Sequence, residues 1–203
     1  SWKTGINEST TIRAAYGERV QAAGGSCRPQ LNNVFLKRNI PGVMMTYAEV
    51  CFLMAEAKHR WPSTPGINGT AAELYEKGVR EAMKLLEIYD PVVCKIPDAG
   101  VDTYMANNPL EAGREIEQIN MQLWVLHLTN APEAFANWRR SGYPQLTAPD
   151  DAYTIDSKGG QMPRRLCYPL SEGLYNSANY QEVLMRMGGV ENWNKGVWWD
   201  KQN

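Results

Sequence analysis

Apolar positions along this chain recur at helical rather than alternating spacing, and they do so in separate blocks. Tyr47, Val50, Cys51 and Met54 predict one face of a helix over Tyr47 to Arg60. Tyr75, Val79, Ala82, Leu86 and Tyr89 predict a second over Ala71 to Tyr89. A third is expected from Pro109 to Leu128; its stretch Ile119 to Leu128 is apolar almost all round, the pattern of a helix buried on most sides. A short fourth helix is expected over Ala131 to Arg140 and a last one over Tyr180 to Met187.

Start and stop signals agree with these blocks. Thr46-Tyr47-Ala48-Glu49 and Thr70-Ala71-Ala72-Glu73 have capping-box spacing, in which the hydroxyl accepts an orphan backbone N–H and the carboxylate reaches back to the cap residue. Asn108-Pro109-Leu110-Glu111, Asn130-Ala131-Pro132-Glu133 and Asn179-Tyr180-Gln181-Glu182 repeat the outline with Asn. Trp61-Pro62, Pro91, Ser141-Gly142 and Gly188-Gly189 are stops. Residues 1 to 42 read as irregular, with turns at Gly24-Gly25-Ser26 and Pro41-Gly42, and with Val34-Phe35-Leu36 as a short strand or buried loop. Residues 143 to 163 read as loop, Arg164 to Tyr168 as an extended segment, and Gly196 to Asp200 as a tail without regular structure. The expected fold class is therefore mainly α, with long irregular loops and little or no β. Residues 46–89 form the profile of a tetratricopeptide-like helical hairpin, 109–140 a buried helix plus a short one, and 141–203 loops, a short helix and the tail.

Composition narrows the function classes. The 203 residues carry 21 basic and 22 acidic side chains, so the basic excess of a general nucleic-acid binder is missing. The most apolar stretch, Val43 to Ala57, is broken by Glu49 and Glu56 and is not expected to span a bilayer. The chain opens Ser1-Trp2-Lys3 without signal-peptide grammar, which reads as a mature or truncated piece of something longer. Cys27, Cys51, Cys94 and Cys167 form no CxxC pair and, with two histidines, argue against a zinc cluster; Cys51 reads as a small buried hydrophobe. Seven Trp and ten Tyr stand against three Phe, an excess of rings with a polar edge that suits partly wet surfaces.

Several segments read together identify a resemblance. They are Tyr47-Ala48-Glu49-Val50 with Ala55-Glu56-Ala57 and Trp61; Tyr75 to Met83; Ile119-Asn120-Met121-Gln122-Leu123-Trp124; Glu133-Ala134-Phe135-Ala136-Asn137-Trp138-Arg139-Arg140-Ser141-Gly142-Tyr143-Pro144; Pro163-Arg164-Arg165-Leu166-Cys167-Tyr168-Pro169 with Asn176, Asn179 and Tyr180; and Val197-Trp198-Trp199-Asp200. In this order, over residues 43 to 200, the chain resembles the C-terminal part of SusD/RagB-family outer-membrane lipoproteins, in the subgroup ending in WWD. The resemblance implies a surface-exposed, lipid-anchored binding protein without enzymatic activity or cofactor. It captures a glycan or other nutrient for a SusC-like TonB-dependent transporter. It also implies that the N-terminal half, with the anchoring Cys, further hairpins and part of the binding face, is not in this chain. Contact with the membrane would run only through that anchor. A tetratricopeptide-like protein-interaction scaffold is the alternative function, and a glycan-cleaving enzyme a third.

Candidate residues each carry two readings. Arg139-Arg140 have the chemistry of an anion clamp, but also the place of cations at a helix C-terminus. Of Arg164-Arg165, one is expected to be buried against a carboxylate, with the helix of Tyr47-Ala48-Glu49 as the suggested source. His59 and His127 are read as structural, Glu111, Glu115 and Glu117 as a charged first turn, and Asp150-Asp151 as too few ligands for a cation. Asn7-Glu8-Ser9 and Asn68-Gly69-Thr70 match a glycosylation pattern, with Thr70 better read as a cap. No catalytic motif and no metal site is expected. Trp124, Trp138, Tyr47, Tyr75 and Phe135 are assigned to the core, and one of Trp198 and Trp199 is expected to pack back onto the helices. Trp2, Tyr16, Tyr153 and Trp193, in irregular regions, are the rings offered for stacking on sugar faces.

Overall fold

The computed structural model describes Val34 and residues 37–146, 162–191 and 193–200. The chain forms two compact units: residues 1–45 with 84–97, and residues 46–83 with 98–203. In the first, Asp90 Oδ1 accepts from the backbone N–H groups of Val93 and Val92 at 3.0 Å, which holds its carboxyl below the usual carboxylate range. Lys37 Nζ lies 3.7 Å from the same carboxylate.

The second unit carries the helices: α1 (Tyr47–Arg60), α2 (Ala71–Leu85, its last two residues belonging to the first unit), α3 (Asp98–Asn107), α4 (Glu115–Leu126), α5 (Ala131–Ser141), α6 (Leu170–Tyr175) and α7 (Ser177–Met187). There is no strand among the described residues. Helix α1 has the expected bounds. Glu49 N donates to Thr46 Oγ1 at 3.0 Å, as a cap should, but the Glu49 carboxylate faces His127 Nε2 at 3.6 Å. The second box closes in both directions: Glu73 N donates to Thr70 Oγ1 at 3.2 Å and Thr70 N to Glu73 Oε2 at 2.7 Å. Thr70 is thus a cap. Helix α5 ends at Gly142 with φ +80, the left-handed geometry that glycine adopts without strain.

Phe52, Tyr75, Ile119, Leu123 and Val79 form the centre of one core, closed by Ala48, Ala55, Leu74 and Met105. Gly78 is required here. A Cβ built on it would lie 2.6 Å from the Phe52 ring, which sits directly against the α2 backbone. Helix α4 packs on α1 and on α5, and α6 packs on α7.

Several expectations are corrected. The buried stripe of α1 is Ala48, Cys51, Phe52, Ala55 and Glu56, while Tyr47 is half exposed with the Lys77 ammonium over its ring at 5.1 Å. The buried stripe mixes small residues with Phe52 and Glu56, so it is not the face of Tyr47, Val50, Cys51 and Met54. The second helix stops at Leu85, and Leu86–Ile88 continue as a 3-10 turn. The third begins at Glu115, not Pro109. Asn108 instead follows α3, which had no counterpart among the expected helices, and donates to the Tyr104 carbonyl at 2.8 Å. Helix α4 buries Ile119, Asn120 and Leu123 but leaves Met121 and Val125 exposed, as is Leu128 in the 3-10 turn that follows, since α1 and α5 cover only part of its circumference. The last helix begins at Ser177, and α6 precedes it. Cys51 is buried and free, and burial pushes its thiol up. Cys94 and Cys167 are also free. Cys27, the glycosylation-like Asn7-Glu8-Ser9 run and Asp150-Asp151 lie outside the described residues.

Candidate functional site

Two buried ion pairs build the ground on which the site stands. Glu56, on the inner side of α1, is only 4% exposed. Arg140, at the end of α5, grips it with both ends of its fork, Nη1 to Oε1 at 2.7 Å and Nη2 to Oε2 at 2.8 Å. Arg60 Nε adds a third bond at 2.8 Å. Asn120 of α4 completes the knot: its Oδ1 accepts from Asn137 at 3.1 Å and from Arg140 at 3.1 Å. Burial pushes the Glu56 carboxyl up, but the hydrogen bonds and charges of Arg140 and then Arg60 outweigh it and hold the pKa at about 2. Arg140 therefore ties three helices together and is not an anion clamp.

The second pair joins the tail to the Pro-Arg-Arg segment. Arg164 Nε donates to Asp200 Oδ2 at 2.8 Å and Nη2 to Oδ1, and the Asp200 side chain is fully buried. One of the two arginines is thus held by a carboxylate as expected, but the carboxylate comes from the tail. The buried acid of α1 already belongs to Arg140. Gly196 allows the tail to close around the pair, because a Cβ there would meet Arg164 Nη2 and Asp200 Oδ2 at 3.2 Å. Trp193 O accepts from Arg164 N at 2.8 Å and Arg165 N at 3.1 Å, so the segment is pinned on its backbone as well.

A cleft of about 950 Å³ lies between α5, the Arg165–Tyr168 segment, α7 and the tail. Arg139 lies with its guanidinium over Phe135 at 4.2 Å and over Trp199 at 4.8 Å, and donates to the Arg164 carbonyl at 3.0 Å. Arg165 covers the Tyr168 ring at 4.6 Å, meets Met187 Sδ, and faces Glu191 at 3.5 Å. Phe135, Tyr168 and Trp198 supply aromatic lining, and Trp198 is 85% exposed. Trp199, against Arg139, is the ring that packs back onto a helix.

Of the rings expected to bind sugar, Trp2, Tyr16 and Tyr153 lie outside the described residues. Trp193 is partly buried beside the cleft and does not line it. Tyr75 and Trp138 are core residues as expected, whereas Phe135 is half-buried and lines the cleft. The lining residues were visible in the sequence as motif: Tyr168 closes the Pro-Arg-Arg-Leu-Cys-Tyr-Pro run and Trp198 opens the tail WWD. The signal for a site was the coupling of Arg-Arg with rings in the Trp138-Arg139-Arg140 and Pro163-Arg164-Arg165-Leu166-Cys167-Tyr168 runs. His127 is buried with neither ring nitrogen hydrogen-bonded, and His59 Nδ1 lies 3.7 Å from Glu115. Glu111 and Glu117 both pair with Arg114, at 2.8 and 2.9 Å, so the acidic run is internally matched. Among the described residues no group of three His, Cys, Asp or Glu side chains is placed to hold a metal, and no helix is long and apolar enough to cross a membrane.

Residues 5–169 match the SusD-like family whose members are described as starch-binding and associating with the outer membrane. Among solved structures, a chitin-binding protein is 40% identical over 91% of this chain and 39% of its own, with a TM-score of 0.76. A SusD-like protein from Bacteroidetes is 36% identical over 99% of this chain and 40% of its own, with a TM-score of 0.74. A SusD homolog from Bacteroides fragilis is 25% identical over the whole of this chain and 43% of its own, with a TM-score of 0.68. The chain thus spans about two fifths of the length of these relatives. No curated protein matches it.

Proposed function

This chain belongs to the SusD-like family, and on that premise we propose that it is part of a non-catalytic, surface-exposed, lipid-anchored protein of the outer membrane. That protein captures a glycan and passes it to a SusC-like TonB-dependent transporter. The observation that carries this reading is the family match over residues 5–169, seconded by 40% identity to a chitin-binding protein. The cleft supports it physically. Exposed rings such as Trp198 and Tyr168 offer flat apolar surfaces with a polar edge, to which the C–H face of a pyranose is complementary. The ligand-stacking role of Trp2, Tyr16, Tyr153 and Trp193 belongs to the same proposal.

The test is calorimetry of the full-length protein against a panel of starch and chitin oligosaccharides, acidic oligosaccharides and unrelated peptides. Binding to at least one saccharide class and to none of the peptides is expected. Peptide binding with no saccharide binding would contradict the glycan assignment and favour the interaction scaffold.

A further inference from the structure

The reading of the cleft as a saccharide site is deepened by its donor and acceptor inventory. Among the described residues, four cations line it: Arg139, Arg165, Arg186 and Lys195. Among the described residues, no Asp, Glu, Asn, Gln, Ser, Thr or His side chain is part of the lining. Apart from the Tyr168 hydroxyl and the Cys167 sulfur, the polar side chains described there therefore only donate. A neutral sugar presents hydroxyls that both donate and accept, and it is served best by amides and carboxylates. An acceptor-only substituent is what a wall of donors matches.

The charge count points the same way. Glu191 faces Arg165 at 3.5 Å and Glu182 pairs with Arg186, but neither lines the cleft, and together they are two carboxylates against four cations. Glu133, exposed in the first turn of α5, is a further acid nearby that does not line it. Lys195 Nζ donates to the Arg186 carbonyl at 3.1 Å, which places these two cations on one wall. Both are exposed, so both are available to a ligand. The chain as a whole carries a net charge of -1, so this basic surface is local and not a reflection of composition.

We propose that the cleft takes a saccharide bearing an anionic substituent, a uronate carboxylate or a sulfate ester, held by Arg186 and Lys195 while the sugar faces meet Tyr168 and Trp198. This rests on the glycan reading above. The test is calorimetry of the full-length protein with oligogalacturonate, dextran sulfate, maltooligosaccharide and chitooligosaccharide, at low and high salt, and with the variants Arg186→Gln and Lys195→Gln. These side chains are on the surface, and unchanged circular dichroism confirms that each variant folds. The expected result is tighter binding of one anionic probe than of either neutral one. Each variant weakens it about tenfold at low salt, while high salt erodes the difference. Which anionic probe wins separates carboxylate from sulfate. Neutral oligosaccharides bound as tightly as the anionic ones overturn this inference and leave the glycan reading standing. Anionic binding that neither variant weakens also overturns it, because the anion then sits elsewhere. Absence of binding to all four saccharides overturns both.

Discussion

Replacing Glu56 by Gln is expected to destabilise the protein by about 2 to 3 kcal/mol, because charge-assisted hydrogen bonds to a buried carboxylate are lost while the arginines left behind, 40% and 42% exposed, can still be hydrated. Arg140 would keep a fork aimed at a neutral amide with one acceptor instead of two, and either Arg60, which bonds Oε1, or Asn120, which bonds Oε2, would lose its acceptor at the junction of α1, α4 and α5. The same group makes stability fall in acid. Its folded pKa is about 2, below the roughly 4.5 of an unfolded Glu, so its contribution is complete above about pH 4.5 and is lost as the pH falls toward 2. The difference is worth roughly 3 kcal/mol. Urea unfolding of wild type and Glu56→Gln at pH 7 and pH 3 measures both effects. The gap between the two proteins should shrink at the lower pH, since the wild-type carboxylate begins to lose its advantage there. A double-mutant cycle with Arg140→Met should show strong coupling, because the two side chains touch.

Asp200→Asn is the second large effect. The Asp200 side chain is fully buried and meets Arg164 through both oxygens, and Arg164 is itself mostly covered. Neutralising the acid leaves a guanidinium in a low-dielectric setting with one weakened acceptor, at a cost of about 3 kcal/mol or more. The consequence differs from that at Glu56. The Glu56 knot joins core helices, whereas Arg164–Asp200 closes the tail onto the segment that lines the cleft. Asp200→Asn should therefore free the tail and with it Trp199, which is packed against Arg139, visible as a red shift in tryptophan emission, and should weaken ligand binding together with thermal stability. Arg164→Ala should lower the melting temperature in the same way. A melt unchanged in both variants would show that the tail is held by something else.

Much of this fold was legible in the chain, and particular residues show where legibility ended. Helix α1 was bounded correctly because Thr46 and Trp61-Pro62 are local signals, and α5 because Gly142 is one. Helix α3 was not foreseen: it buries only Val101 and Met105, too thin a stripe to stand out from Gly100 and the polar residues around it. Glu56 was read as an interruption of an apolar stretch, but it is the hub of the unit. Its partner lies 84 positions away, and no periodicity reports a bond of that span. Arg140 was likewise read from its local place at a helix end. That place is real, yet the residue is anchored by α1. Arg164 shows the intermediate case. A buried partner was expected on chemical grounds, and the carboxylate was assigned to α1 because the tail had no pattern that placed it in space. The cleft was hidden for the same reason. Phe135, Arg139, Tyr168 and Trp198 come from three separate segments, each recognisable as motif, and only their juxtaposition makes a site.

The central claim is that the cleft between α5, the Pro-Arg-Arg segment, α7 and the tail touches the ligand. The direct measurement is the affinity of full-length Trp198→Ala and Tyr168→Ala for whichever oligosaccharide the wild type binds, read beside their melting temperatures. Trp198 is almost wholly exposed, so its removal should leave the melt unchanged and weaken binding about tenfold, or roughly 1.4 kcal/mol. Wild-type affinity in both variants, with folding intact, would contradict the claim.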